Sequence, residues 1–202
     1  MEKPSFWNHN AAYYPWVRRW LDRKGARMVL DVGCGEGSLA RYLAVPGRKV
    51  LGLDPSADVI AAAQAKTGEG DKFRFLCTAF EDYEAPPGSL DAVVFAASLH
   101  HMEERRVIGK AKELLKTGGV LLIVGMASPS GPADWALEAL RVLPAGLGTW
   151  LHRARSSEEL GLSVSYELPK MAEVRDLMRQ ELPGAKLRSG LYYRYLLRWT
   201  KP

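Results

Sequence analysis

The stretch that decides the fold is VLDVGCGEGSLARYLA, residues 29–44. A β-favouring run ends in Asp31, Gly33, Gly35 and Gly37 then alternate, and a segment of helix formers opens at Ser38. Glycines at a strand-to-helix turn let the backbone bend sharply and let a ligand approach main-chain atoms with no Cβ in the way. Their spacing discriminates between ligands. A dinucleotide fingerprint, GxGxxG, needs its third glycine at position 38, where the chain has Ser38. A phosphate-gripping P-loop needs a Gly-Lys-Ser/Thr ending, which the stretch lacks. The loop instead brings its own acids, Asp31 and Glu36, which repel a pyrophosphate and suit a cationic ligand.

Downstream, KVLGLDPS (49–56) places Asp54 at the end of the next strand-like run, 21 residues after Gly33. That is the span of one βαβ unit, and a carboxylate there can take both hydroxyls of a ribose. The competing reading of Asp54 is a helix N-cap, which Ser56 can supply equally well. Loop and acid together point to an adenosine-type ligand without a diphosphate.

The alternation continues outward. Strand-like runs at 27–32, 49–54, 72–77, 90–97 and 120–126 are separated by helix-rich segments at 38–45, 56–66 and 103–116. This is the pattern of a parallel sheet covered on both faces. In the last helix, Val107, Ala111, Leu114 and Leu115 fall at helical spacing, and Thr117-Gly118-Gly119 is expected to stop the helix and turn the chain into the next strand. Residues 127–170 interrupt the alternation, opening with SPSGP. This is too long for a plain connector and reads as a partly helical lid facing the substrate. A helix at about 170–181 follows, and KLRSGLYYRYLLRWT (186–200) reads as an antiparallel hairpin turning near Ser189-Gly190. The fold class is therefore α/β, a Rossmann-like, seven-stranded, mostly parallel sheet with an antiparallel C-terminal hairpin, helices on both faces and a helical lid insertion. One domain spans 1–202, with an N-terminal cap at 1–24.

The chain resembles a class I S-adenosylmethionine-dependent methyltransferase, of the type of the small bacterial members, over roughly residues 25–126. DVGCGEG resembles the family's first motif, Asp54 stands at its ribose-binding acid, and TAFED (78–82) corresponds to its adenine motif. LDAVVFAASLHHM (90–102) and LLKTGGVLLIVG (114–125) correspond to its fourth- and fifth-strand motifs. The resemblance implies S-adenosyl-L-methionine as cofactor, held by Asp31, Gly33, Cys34, Gly35, Asp54 and Pro55, with Phe80, Glu81 and Ala96 around the adenosine and methyl group. One departure stands out. Ala79-Phe80 replaces the common Asp followed by a small residue, so the adenine amino group loses its usual acceptor, and Glu81 or Asp82 is expected to replace it.

The methyl acceptor is approached by elimination. The fourth-strand stretch FAASLHH has no proline, unlike the [DNS]PPY motif of amino methylation in nucleic acid. Neither Cys34 nor Cys77 follows a proline, as a cytosine-C5 nucleophile usually does. Ala96 and Ala97 stand where a catechol-type enzyme carries a metal-binding acid. A metal-free transfer to a small molecule remains, with no metal site assigned. His101, with His100 beside it, sits where an acceptor would arrive and is the candidate general base. The bland reading is that one histidine caps the next helix and the other packs. His9 and His152 are scattered and make no metal site.

The aromatic N-terminal run FWNHNAAYYPW (6–16) can close over the cofactor, Tyr14 above all, with Trp7, Tyr13 and Trp16 excluding water. Trp16, Val17 and Trp20 form the apolar stripe of a helix that packs on the domain. With no strand to join, this run is expected to close over the site from the side opposite the lid. In the lid, Trp135, Leu147 and Trp150 would line an acceptor pocket for a hydrophobic or aromatic substrate.

Composition agrees with an enzyme of ordinary globular make-up. Hydrophobic residues make 47% and charged residues 25% of 202 residues, which excludes wholesale disorder. No apolar run is long enough for a membrane span, the start is no secretory signal, and two cysteines are too few for a disulfide scaffold. A cytoplasmic monomer or homodimer, without membrane or nucleic-acid partners, is the expectation. Net charge is +5, and Lys186, Arg188, Arg194, Arg198 and Lys201 close the chain with no acid among them. This basic tail leaves an RNA methyltransferase as the rival reading, and a non-catalytic module that binds the cofactor to regulate a partner as a second.

Overall fold

The computed structural model describes residues 10–67, 73–131, 168–191 and 194–202. Trp7, His9, Trp135, Leu147, Trp150 and His152, and the body of the lid, lie outside the described residues.

Seven strands form one sheet: β1 (Met28–Val32), β2 (Lys49–Asp54), β3 (Phe73–Cys77), β4 (Leu90–Ala96), β5 (Leu115–Met126), β6 (Lys186–Ser189) and β7 (Arg194–Thr200). Their order is β3-β2-β1-β4-β5-β7-β6. β1 to β5 run parallel, while β7 is antiparallel to both β5 and β6. The chain reverses its direction of travel across the sheet between β1 and β4. In open α/β sheets ligands bind at such a switch point, beyond the carboxyl ends of the strands.

The central strands are buried on both faces and read as nearly continuous apolar runs. On one face Val93, Phe95, Leu121, Ile123 and Leu197 pack under α4 (Glu104–Leu114) and α5 (Met171–Glu181). On the other, Ala92, Val94, Leu122 and Leu196 pack under α1 (Tyr14–Lys24), α2 (Ser38–Leu43) and α3 (Ala57–Ala65). A fully buried leucine or phenylalanine on such a face contributes roughly 1.5–3 kcal/mol. In α1 the buried stripe is Tyr14, Val17 and Leu21, with Trp16 and Trp20 half-buried beside it.

One boundary corrects the sequence expectation. Helix α4 ends at Leu114, and Leu115 is already the first residue of β5, paired with Leu90. The pairing then jumps from Leu90–Leu115 to Ala92–Val120, so Lys116–Gly119 bulge out of the strand instead of stopping the helix. Gly118 makes the bulge possible at φ 78°, and a Cβ on Gly119 would sit 2.8 Å from the Lys116 carbonyl. The two ends of the 127–170 insertion also meet. Ser128 bridges Lys170, with its N–H donated to the Pro169 carbonyl at 2.9 Å, so the insertion leaves and rejoins the domain at one root.

Candidate active site

Beyond the carboxyl ends of the parallel strands lies a cavity of about 740 Å³, the size range of small-ligand sites. Its floor is the glycine loop. Gly33, Gly35 and Gly37 adopt φ of 68°, 53° and 77°, a region side chains avoid. Two of them also meet close neighbours. A Cβ on Gly33 would fall 2.4 Å from Ser98 Cβ, and one on Gly37 2.4 Å from the Phe75 ring. The loop is tied down by Gly33 and Cys34 N–H groups donating to the Leu53 carbonyl at 2.8 and 2.9 Å. Cys34 lines the cavity; its side chain is buried against Gly52, where burial raises the thiol's pKa.

Asp31, the last residue but one of β1, is almost wholly buried, and its Oδ2 has no hydrogen-bond partner. Burial, and then the nearby Asp54 carboxylate, push its pKa up to about 7. A buried carboxylate oxygen without a donor at the edge of a cavity fits a ligand that brings one, and an ammonium group would. Asp54 accepts the Gly35 N–H on Oδ2 at 3.1 Å and the Ser56 N–H on Oδ1 at 3.0 Å. It therefore both orders the loop and shapes the turn into α3. Each oxygen keeps a lone pair, so a ribose diol can still donate to it. Ser56 occupies the α3 N-cap position without a side-chain bond.

Pro55, Thr78, Ala79 and Glu81 continue the wall. Of the two candidates for the adenine amino group, Glu81 lines the cavity and Asp82 does not. Phe80 also borders it, but its ring is 1% exposed and stands edge-on to Phe95 at 5.6 Å. Packed in the core, it offers a ligand little stacking surface. Tyr14 closes the near side, its ring 5.7 Å from that of Tyr42 and its hydroxyl kept protonated by burial and by the Asp31 and Glu36 charges.

Past β4, Ala96 and Ala97 lead into a short 3₁₀ turn, Leu99–His101. Ala97 has φ 61°, unusual for a residue with a side chain, and its N–H bonds the Val124 carbonyl at 2.7 Å. His100 and His101 both line the cavity with ring centroids 4.0 Å apart. His100 Nδ1 is buried without a partner; burial, then His101 and Arg194, pull the imidazole's pKa down to about 4. Neither histidine caps α4, whose N-cap is Glu103. The capping alternative for the pair is therefore overturned.

Sequence reasoning did not single out Asn10, Met126 and Arg194 as site residues, although all three line the cavity. Arg194 opens β7 opposite Met126, the last residue of β5, and donates from Nε and Nη2 to Asn10 Oδ1 at 2.9 and 2.7 Å. The signal was topological: in an antiparallel partner of β5, the first residue lands at the functional end of the sheet. The other basic residues of the tail lie elsewhere. Arg198 lies over the Trp20 ring at 3.7 Å, Lys201 donates to the Leu115 carbonyl at 2.7 Å, and Lys186 and Arg188 are exposed on β6. Tyr13 donates its hydroxyl to the Leu191 carbonyl at 2.7 Å. The N-terminal segment is thus joined to the hairpin turn.

Residues 29–119 match a family described as a methyltransferase domain. An uncharacterized methyltransferase of Mycobacterium bovis is 32% identical over 205 residues, covering all of both chains. The ubiquinone biosynthesis O-methyltransferase of Chromobacterium violaceum is 38% identical over 96 residues, 46% of this chain and 41% of that one. Among solved structures, magnesium protoporphyrin IX methyltransferase from Synechocystis with bound SAH superposes with a TM-score of 0.63 at 21% identity, covering 96% of this chain and 83% of that one. With a full-length relative at this identity and the glycine loop, Asp54 and switch point in place, the chain belongs to the class I S-adenosylmethionine-dependent methyltransferases.

Proposed function

We propose that this enzyme transfers a methyl group from S-adenosylmethionine to a small-molecule acceptor by in-line displacement, without a metal. The observation that carries the reading is the order of groups across the mouth of the sheet. Asp54 on β2 and Asp31 on β1 form an acidic half, and His100, Met126 and Arg194, from β4 to β7, form the other. The acidic half suits the cofactor: the unpartnered Asp31 oxygen for its ammonium group, Asp54 for the ribose hydroxyls, Glu81 near the adenine. When bound, the cofactor supplies an electrophilic methyl group and a good leaving group, so positioning supplies much of the catalysis. The glycine loop lets the donor end approach the main chain, Tyr14 and the N-terminal segment restrict water, and the turn at His100 and His101 faces the incoming acceptor.

A small molecule is favoured because FAASLHH lacks the [DNS]PPY motif of amino methylation in nucleic acid and neither Cys34 nor Cys77 follows a proline. The metal-free reading rests on the side chains present: Ala96 and Ala97 stand where a metal-binding acid would, and no group of three His, Cys, Asp or Glu among the described residues is placed to hold a metal ion. Incubation with labelled cofactor and an acceptor panel, with and without excess chelator, tests it. Label should reach a small molecule in both conditions. Transfer that stops with chelator and returns with magnesium, or that goes only to RNA, overturns the reading.

A further inference from the structure

Two loops carry the two halves of the cavity, the glycine loop after β1 and the His100–His101 turn after β4. Their strands are neighbours, and the parallel pairing between them ends at Val32–Phe95. Past that point Ser98 joins the loops. Its hydroxyl, on a residue only 6% exposed, donates to the Val32 carbonyl at 2.5 Å. Its Cβ occupies the space that a side chain at Gly33 would need, 2.4 Å from where a Cβ would stand. Its carbonyl accepts the His101 N–H at 3.1 Å and closes the 3₁₀ turn. One residue thus bonds to the end of β1 with its side chain and shapes the histidine turn with its backbone.

The other supports of the turn lead elsewhere. The Ala97 N–H fixes its start to the Val124 carbonyl on β5, and Leu99, 1% exposed, anchors it in the core under α4. Of the turn's side chains, Ser98 is the one that bonds across to β1. Among the described residues neither imidazole makes a hydrogen bond, so the two rings take their places from the backbone beneath them. The chain reaches this arrangement through Ala97 at φ 61°, a strained conformation that persists where the surroundings over-determine it.

Resting on the reading of this turn as the acceptor side, we propose that Ser98 is a positioning residue for methyl transfer. Through the Val32 carbonyl it locks the histidine turn to the glycine loop, and so sets how the acceptor meets the methyl group. Its hydroxyl is already engaged, so it acts through the turn and not on the reacting atoms. In-line displacement needs those atoms about 3–3.5 Å apart and aligned, and a misplacement of about 1 Å costs roughly 100-fold in rate. Gly33 is the counterpart of Ser98, because any side chain there would displace it. The cofactor loop has its own ties, the Gly33 and Cys34 N–H groups on the Leu53 carbonyl, so losing the Ser98 hydroxyl should loosen the turn and spare the loop.

The test uses the full chain and S-adenosylmethionine whose methyl carbon carries the NMR-active isotope. In the wild type the methyl protons should show a nuclear Overhauser contact to the ring of His100 or His101. In Ser98→Ala that contact should weaken at least threefold, while calorimetry finds the S-adenosylhomocysteine Kd within threefold of wild type. With the best-labelled acceptor of the panel, single-turnover transfer at saturation should fall at least tenfold and the acceptor KM should change less than threefold. Ser98→Cys keeps a weak donor and should lie between the two on both readouts. A contact and a rate within twofold of wild type in Ser98→Ala overturn the proposal, as does a wild type whose methyl group contacts neither ring. A loss of S-adenosylhomocysteine affinity as large as the loss of rate also overturns it, because Ser98 would then be a support of the glycine loop. If Ser98→Ala does not fold, Ser98→Cys takes its place: both readouts should fall at least twofold, and equality with wild type overturns the proposal. Label that reaches only RNA overturns the small-molecule reading instead, and the same Ser98 comparison is then made on RNA with the same outcomes expected.

Discussion

The Tyr13 hydroxyl reaches across the molecule to the Leu191 carbonyl, 178 residues later in the chain, at 2.7 Å. Beneath the ring lies Gly190, where a Cβ would sit 2.5 Å from that hydroxyl. Four residues after Gly190, Arg194 holds Asn10. The N-terminal segment and the β6–β7 turn therefore form one wall of the cavity. Tyr13→Phe removes one hydrogen bond and should cost about 0.5–1.5 kcal/mol of stability. It should also weaken cofactor binding several-fold, since Asn10 and Tyr14 flank the lost contact. Thermal melting and calorimetry on the variant check both; a variant matching wild type in both measurements would show that the wall does not depend on this bond.

Asp54 combines two duties, one to the chain and one to the ligand. Its oxygens already accept the Gly35 and Ser56 amides. Asp54→Ala should weaken cofactor binding by about 1.5–3 kcal/mol, through the lost ribose contacts and a looser loop. Asp54→Asn keeps an acceptor for one of the amides and should fall between wild type and alanine. An unchanged Kd in a folded Asp54→Ala variant would reduce the residue to a turn-former.

The glycine loop, the parallel strands and the terminal hairpin were legible because each is specified locally: β-branched runs, glycines at fixed offsets, turn residues at 189–190. What sequence could not show came from register and from contacts across long stretches of chain. Thr117-Gly118-Gly119 read as a stop because a bulge and a turn use the same glycines; only the Leu90–Leu115 pairing tells them apart. Phe80 read as a wall for adenine because an aromatic beside an adenine motif has two faces to choose between, and here Phe95 takes it into the core. Arg194 was counted with a basic tail, since nothing in its neighbourhood announces that β7 begins level with the end of β5.

Arg48 is another residue that no motif singles out. It is 5% exposed and donates to the Ala26 and Leu43 carbonyls at 2.9 and 3.2 Å and to Asp22 Oδ1 at 2.7 Å. It thereby joins the end of α1, the approach to β1 and the end of α2. Asp22 is half exposed, so most of the contribution comes from the two carbonyls, not from the ion pair. Arg48→Met should destabilise the protein by about 2–4 kcal/mol while a folded sample binds cofactor normally. Urea denaturation measures this, and a loss below about 1 kcal/mol would mean that water replaces the guanidinium at little cost.

Asp31 makes cofactor binding depend on pH, and the sign can be worked out. Burial first, and then Asp54, raise its folded pKa to about 7, above the usual carboxylate value near 4. The folded chain without ligand therefore holds this proton more tightly than the unfolded chain does. Asp31 contributes its stability fully below about pH 4, and that contribution is lost as pH rises through about 7. An ammonium group placed against Oδ2 reverses the balance, because it favours the ionised carboxylate. Binding should then expel a proton near pH 6, and affinity for S-adenosylhomocysteine should rise between about pH 5.5 and 7.5, by no more than tenfold per unit. Calorimetry in buffers of different ionisation enthalpy counts the released proton directly. Asp31→Asn should flatten the pH profile, bind the cofactor more weakly at pH 7.5, and melt higher than wild type at pH 8 in the absence of ligand. A wild-type affinity that stays constant over this range, with no proton released, would mean that the ammonium group lies against some other side chain and that Asp31 remains protonated in the complex.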